Sequence, residues 1–511
     1  MVAAPRDRGT RGRRRIPWSR FLAGCIAGAA GLAVTFLLRV LGIGVFLPEL
    51  AVEFAVGRIP AQIESIFIRT MGEGAKVLAL ATALTVFVAL PGVYALFFRW
   101  VQARLRNRWT VLAAYAIGSA AIALVVIIPL LGGGFFGVAT LEGPAAAVFS
   151  QLLGGWTYAA VLDYFLVEVA SKRPEGFTLS RRQFIAASIA LVAGAAIAVY
   201  GFGSFVARPA RLVFASVAEM FAKQVTPNAE FYIVTKNLID PTVDAASWRL
   251  DVDGLVDQPG SYTYADLTGR VLIDELVTLE CVSNEVGGNL ISTANWSGIP
   301  LADLLTAAAP RASADWIAFT CADGYTVGVP VARAMASGAL LALRMNGEPL
   351  PSRHGFPARA IVPGLYGMFH AKWVTRITFV QGEFLGFWQQ KGWTNRGGIR
   401  TTAIIATPAP DSVVRGSVTI GGVAFAGDRG ISRVEVSTDG GSMYAPATLS
   451  PPLSGRTWVL WTFSWTPTAG GSYRIVAKAV DVDGVPQEVS SSPPFPDGAA
   501  GYDSIALLVS L

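Results

Sequence analysis

The stretch VTLECVSNEVGGN ends a β-rich run on a single cysteine, Cys281, and then opens into Ser, Asn and Gly. A thiolate placed there stands over a polar, backbone-rich loop. A soft, charged sulfur suits a redox transition metal better than magnesium or calcium. A cysteine taken alone is most often a small buried hydrophobe, so its neighbours have to decide. Cys321 lies in the hairpin pattern WIAFTCADGYTVGVPV and reads as core. A Cys281 to Cys321 disulfide is the structural rival to metal binding. Further along, NGEPLPSRHGFPARAIVPGLYGMFHAKWV sets His354, Arg359, His370 and Lys372 close together. Out of context, Arg359 reads as a member of a surface ion pair, Lys372 as a solvated strand residue, and His370 as a structural histidine or a ligand.

The order of these motifs, TLECVSN, then GNLISTANWSGIPLADLL, then HGFPAR and HAKWV, resembles the sulfite oxidase family of molybdenum enzymes. The resemblance runs from about Pro227 to the end, because the last strands look like that family's immunoglobulin-like dimerisation domain. It implies that Cys281 ligates molybdenum beside the dithiolene sulfurs of molybdopterin, and that His354, Arg359 and Lys372 hold the cofactor. Asn284 falls within the cysteine-loop motif. Asn228 and Tyr232, in TPNAEFY, match cofactor-facing positions more loosely. Two positions depart from the animal and plant enzymes: Lys236 stands where they have an arginine, and Trp393, in GFWQQKGW, where they have a pocket tyrosine. Lysine is a point donor rather than a fork, and tryptophan stacks but has no acidic hydroxyl. Both are carried as candidate catalytic positions, with sulfite itself left open.

The elements that must position these residues divide the chain in three. With 53% hydrophobic and 15% charged residues among 511, it is too apolar for one soluble globule. The apolar excess lies before Arg208. Residues 1–206 carry 19 Lys and Arg against 9 Asp and Glu, and residues 207–511 carry 22 against 26. That split follows membrane topology rather than nucleic-acid binding. The reading is therefore a multi-domain chain: an all-α transmembrane bundle of about five helices (1–208), an α+β molybdopterin domain (209–400), and an all-β immunoglobulin-like sandwich (401–511). The expected spans are Phe21 to Leu38, Val77 to Phe98, Trp109 to Leu131, Ala145 to Val169 and Phe184 to Val206. Of the 19 basic residues, 15 fall on alternate loops, which puts the N-terminus in the cytoplasm and the C-terminal half outside. Val40 to Gly57, with Pro48, Glu49 and Glu53, reads as an interfacial helix rather than a sixth span. Asp163 is the one acid well inside a span, expected to reach the interface or to pair with an arginine.

Ser180-Arg181-Arg182-Gln183-Phe184 resembles a twin-arginine export signal, set in mid-chain over 180–186 directly before the fifth span. The alternative is that two arginines simply mark a cytoplasmic helix end. An enzyme that must fold around a cytoplasmically assembled cofactor before export explains the position. The fifth helix would be signal and permanent anchor together.

The expected protein is thus a membrane-anchored molybdopterin oxidoreductase of the bacterial plasma membrane. It would transfer an oxygen atom to or from a small-molecule substrate outside the cytoplasm. No haem, flavin or iron–sulfur cluster is expected, so an external carrier, cytochrome c or a quinone-linked protein, exchanges electrons with it. Membrane lipid and a homodimer partner complete the expected contacts. A sulfoxide or N-oxide reductase on the same centre, and a receptor or scaffold with an empty pocket, are the rival readings.

Overall fold

The computed structural model describes residues 18–60, 63, 74–105, 107–169, 211–237 and 239–510. The expected fifth span and the Arg181-Arg182 pair lie outside the described residues.

The N-terminal unit is helical: α1 (Trp18–Val40), α2 (Leu47–Arg58), α3 (Gly74–Ala95), α4 (Phe98–Leu105), α5 (Arg108–Ile122) and α6 (Gly143–Asp163). A π-helical turn at Ala123–Ile127 carries α5 on to Leu130. Among the described residues, four helices are long and apolar enough to cross a membrane: Trp18–Val40, Leu78–Ala95, Arg108–Leu130 and Gly143–Val167. These match the first four expected spans. The 12-residue α2 covers the segment read as interfacial. It rises only about 18 Å, well short of a hydrocarbon core.

Without water to drive apolar contact, such helices associate through small residues that let backbones approach. A methyl on Gly31 of α1 would stand 2.8 Å from the Gly154 carbonyl oxygen of α6, and one on Gly155 would stand 2.5 Å from the Ala116 oxygen of α5. Two buried charged groups in this unit, Arg39 and Asp163, are paired. Arg39 at the end of α1 donates to both carboxylate oxygens of Glu49 at 2.7 and 2.9 Å and lies 3.2 Å from Glu142. Asp163 accepts from Arg108 at 2.7 and 2.9 Å. Of the two fates foreseen for this acid, pairing with an arginine is the one observed.

The rest of the chain is sheet-rich. Its first part contains β1 (Arg249–Gly254), β2 (Gly260–Thr263), β3 (Ile273–Glu280), β4 (Ile291–Pro300), β5 (Trp316–Cys321), β6 (Thr326–Pro330), β7 (Leu340–Met345), β8 (Glu348–Pro349), β9 (Arg359–Ile361) and β10 (Val374–Val380). One sheet runs β2-β1-β10-β5-β6; the other runs β3-β4-β7-β8, with β9 also paired to β7. The anticipated β5–β6 hairpin about Asp323-Gly324 is present. In SGIPLADLLTAAAP the helix covers only Leu301–Ala307, because β4 extends through Pro300 and pairs with both β3 and β7. Two ladders outweigh the helical spacing of a few apolar residues.

The last part contains β11 (Thr402–Thr407), β12 (Val413–Val414), β13 (Val418–Phe425), β14 (Ile431–Ser437), β15 (Ala445–Pro446), β16 (Thr448–Leu449), β17 (Val459–Trp465), β18 (Gly471–Asp481) and β19 (Asp503–Val509). They form sheets β11-β13-β17-β16 and β12-β19-β18-β14-β15 around Trp461, Ile475, Ala477 and Leu507. The loop before β17 clasps the edge of β3. The Thr278 N–H donates to the Arg456 carbonyl at 3.0 Å, the Trp458 N–H donates to Thr278 Oγ1 at 2.8 Å, and Arg456 pairs with Glu275 at 2.9 Å. The strand that leads to Cys281 is thereby held on both edges, by β4 and by the sandwich.

Candidate active site

Cys281 is the first residue after β3, where the chain leaves the ladder. Its N–H donates to the Leu290 carbonyl at 2.9 Å, and its own carbonyl accepts from Asn284 N–H at 2.9 Å. The loop is tied from beneath. Asn284 donates to Glu280 Oε1 and accepts from Leu290 N–H, each at 3.0 Å. Burial raises the Glu280 carboxyl to about 7, partly offset by the Asn284 hydrogen bond. The thiol is 6% exposed and 3.0 Å from Ser283 Oγ. Burial pushes it above the ordinary thiol range. Cys281 and Cys321 are both free thiols, so the rival disulfide is not formed.

A cleft opens above Cys281. It is lined by Tyr232, Lys236, Cys281, His354, Arg359, Lys372 and Trp393, seven of the nine residues singled out from the sequence. The other two are elsewhere. Asn284 is the brace just described. Asn228 is held by Asn346, its Oδ1 accepting at 2.9 Å, and its Nδ2 reaches the Met345 carbonyl and Glu348 at 3.3 Å. Short polar side chains beside a strand end find backbone partners first.

Arg359 starts β9 and is 6% exposed. Its guanidinium carbon lies 5.1 Å from the centre of the Trp296 ring. Nη1 donates to the His354 carbonyl at 3.3 Å, while Nε is buried with no partner. Burial lowers its pKa to about 10. No carboxylate pairs with it among the described residues. Buried polar groups are nearly always satisfied, and a buried cation is tolerated only when something anionic answers it.

Lys372 lines the same cleft, and the next residue, Trp373, adopts φ +53°, a conformation rare for a bulky side chain. Trp373 is locked by donating Nε1–H to the Ser352 carbonyl at 2.8 Å and its N–H to Gly355 at 3.2 Å. Gly355, at φ +116°, has no side chain to meet Lys372, whose Cα would lie 3.1 Å from an added methyl. Gly367 similarly leaves room for the Tyr232 hydroxyl, which an added methyl would meet at 2.3 Å.

The two histidines have fixed tautomers. His354 Nε2 donates to the Asn228 carbonyl at 2.9 Å, and burial holds its pKa down to about 4. His370 Nε2 donates to the Leu365 carbonyl at 3.0 Å and Nδ1 accepts from Val362 N–H at 3.1 Å; burial lowers its pKa to about 3. Both rings are neutral near pH 7. His354 lines the cleft with its ring held in place through Nε2.

Several lining residues were not anticipated. Tyr325, whose hydroxyl donates to the Met368 carbonyl at 2.8 Å, and Asp323 both come from the β5–β6 turn. Their sequence, ADGY, carries ordinary turn chemistry, and no local signal says that the turn points at Cys281. Arg353 and Trp388 also line the cleft, next to motifs already noted.

These residues fit an anionic, phosphate-bearing cofactor. They provide one edge of a thiol, a buried arginine with no carboxylate partner among the described residues, further cations at Lys372 and Arg353, and aromatic walls.

Comparison with known proteins agrees. Residues 237–388 match the oxidoreductase molybdopterin binding domain, and residues 402–477 match a bacterial Ig domain. The chain is 34% identical over 308 residues to mitochondrial sulfite oxidase of Homo sapiens, covering 50% of this chain and 56% of that one. It is 32% identical over 316 residues to sulfite oxidase of Gallus gallus, covering 52% and 68%. It is also 32% identical over 154 residues to the uncharacterized oxidoreductase YuiH of Bacillus subtilis (strain 168), covering 30% and 76%. The chain spans little more than half the length of the mammalian relatives it matches. In fold it is similar to the sulfane dehydrogenase SoxCD from Paracoccus pantotrophus, with a TM-score of 0.50 at 22% identity over 56% of this chain and 84% of that one.

Proposed function

Because the chain belongs to the sulfite oxidase family of molybdopterin-binding oxidoreductases, we propose that it is a membrane-anchored enzyme transferring an oxygen atom to or from a small substrate outside the cytoplasm. The observation that carries this reading is the buried guanidinium of Arg359, with its unpartnered Nε, in the same cleft as the thiol of Cys281. Bound there, molybdopterin supplies a two-electron redox metal. Cys281 gives that metal a thiolate, and the buried loop fixes the sulfur's direction through Asn284 and Leu290. Arg359 and Lys372 answer the anionic charge of the cofactor, with Tyr232 beside them. His354 stays neutral and orients the 228 loop through its Nε2–H. Trp393, 5% exposed and packed edge-on against Phe495, restricts water at the substrate end.

The four apolar helices support an anchor, and the alternation of Lys and Arg supports an extracytoplasmic catalytic part. The Arg181-Arg182 pair serves as an internal twin-arginine signal. Electrons pass to or from a separate carrier, a c-type cytochrome or a quinone-linked protein, and the immunoglobulin-like sandwich pairs two copies. A sulfoxide or N-oxide reductase is the second reading, favoured by the apolar Trp393 and by Lys236 being already paired with an acid, 3.8 Å from Asp323.

The test is molybdenum and pterin content of the purified full chain, expressed in a host that makes the cofactor, alongside Cys281→Ser. Near-stoichiometric molybdenum, with the variant's metal spectrum changed and turnover lost, is expected. Well-folded protein without molybdenum or pterin overturns the proposal.

A further inference from the structure

Lys236 enters the cleft from the segment after Tyr232, yet its charge is not presented alone. Its Nζ lies 3.8 Å from Asp323 Oδ2, and it donates to Asn237 Oδ1 at 2.9 Å. Asn237, 1% exposed, donates in turn to Asp323 Oδ2 at 3.0 Å. The other carboxylate oxygen accepts from Tyr325 N–H at 3.0 Å. Asp323 is 6% exposed, and Lys236 and Asp323 both line the cleft that holds Cys281. An amide thus bridges an ammonium and a carboxylate in a closed triangle, where low solvent access strengthens each charge's effect on an entering ion.

We propose that Asp323 is the specificity-determining residue of this cleft: acting through Asn237 and Lys236, it cancels the local positive charge so that neutral oxo-compounds enter in preference to small oxyanions. The inference rests on the reading of the cleft as a substrate site. Lys372 and Arg353 line the same space, but Lys372 lies over the Trp373 ring, 4.3 Å from its centre, and Arg353 pairs with Asp240 at 3.3 Å. Lys236 is the cation whose net effect a single buried acid controls. Asp323 is a positioning group rather than a catalytic one, since it acts on the charge and direction of Lys236.

The experiment measures binding of two probes, inorganic sulfate and dimethyl sulfoxide, to the detergent-purified full chain by calorimetry. Wild type, Asp323→Asn, Lys236→Met and the double variant are compared, with molybdenum content determined for each. In Asp323→Asn, sulfate binds about tenfold more tightly, the size expected for releasing one poorly solvated charge. The gain disappears in the double variant, and dimethyl sulfoxide changes by less than about twofold throughout, as a charge-specific coupling requires. Sulfate affinity unchanged in Asp323→Asn, or a gain that survives loss of Lys236, overturns the proposal. Should Asp323→Asn fail to fold, Lys236→Met decides: weaker sulfate with unchanged dimethyl sulfoxide supports the proposal, and parallel changes in both or neither sink it. A sulfate shift that follows Asp323 in protein devoid of molybdenum keeps this inference while removing the enzymatic one.

Discussion

Arg359 stacks over Trp296 with its guanidinium carbon 5.1 Å from the ring centre, and its buried Nε has nothing to donate to. A charge so placed destabilises the protein alone and binds an anion strongly. Arg359→Met is therefore expected to act in opposite directions on the two states. The cofactor-free protein should gain about 1 to 3 kcal/mol, the usual cost of an unsatisfied buried donor. Molybdenum content at purification should fall by tenfold or more, by the loss of charge-assisted hydrogen bonds. Thermal scans with and without cofactor, beside metal analysis, check both arms; loss of stability in the cofactor-free protein contradicts the account.

Cys281→Ser keeps the side chain's shape but removes the soft ligand. Its backbone bonds in the loop run to Leu290 and Asn284, and a serine hydroxyl can keep the contact that the thiol makes with Ser283 Oγ. Folding stability should move by less than about 1 kcal/mol, as for a near-isosteric change. Turnover should fall at least about a thousandfold, a loss at the scale of removing a principal catalytic group. The molybdenum absorption or paramagnetic spectrum reads the change of ligand directly.

The histidines set an acid limit for the cofactor-free protein. Burial holds His354 near 4 and His370 near 3 in the folded state, below the ordinary 6.5. Between the folded and unfolded values the unfolded chain binds the extra proton, so stability rises with pH there and is lost as pH falls from 6.5. Each group contributes a slope of about 1.4 kcal/mol per pH unit in its window. His370→Gln should flatten the melting-temperature profile between pH 6.5 and 4, whatever its cost at pH 7. An unchanged slope would mean that the His370 ring is not buried neutral.

In the helical unit, Arg108 at the start of α5 is half exposed, while the Asp163 carboxylate that it holds is 4% exposed. Arg108→Ala leaves that acid buried without this partner and should cost about 3 kcal/mol or more. Asp163→Asn should cost less, and the pair of substitutions together less than Arg108→Ala alone. Resistance to denaturing detergent ranks the three.

Export is tested at Val489, which is 72% exposed. A cysteine placed there should react with a membrane-impermeant maleimide in intact cells, and Arg181→Lys with Arg182→Lys should abolish that labelling while leaving it intact in lysed cells. Labelling only after lysis in the unaltered background would place the catalytic part in the cytoplasm.

How much of this was legible beforehand depends on the range of the interaction. The four described long helices follow from apolar runs, since length against the hydrocarbon core is a local property of sequence. The β5–β6 hairpin, β3 and the strands of the sandwich follow from alternation and turn residues. Cys281, His354, Arg359 and Lys372 were found by their motifs. Asn228 does not line the cleft, its amide being held by Asn346 and the Met345 carbonyl, and Asn284 lies beneath it, its amide bracing Glu280 and Leu290.

The sequence by itself determined the apolar and polar halves, the family motifs and the residue types available to hold an anionic metal cofactor, because each is carried by composition or by neighbours within a few positions. Only the tertiary structure decided which of those residues share a cleft, which ring nitrogens carry protons, and that Asp323 stands beside Lys236 across 87 positions of sequence. Charge pairing, desolvation and unsatisfied hydrogen bonds depend on distances through space, and those are set when β3, the β5–β6 turn and the 353–373 segment pack around one point.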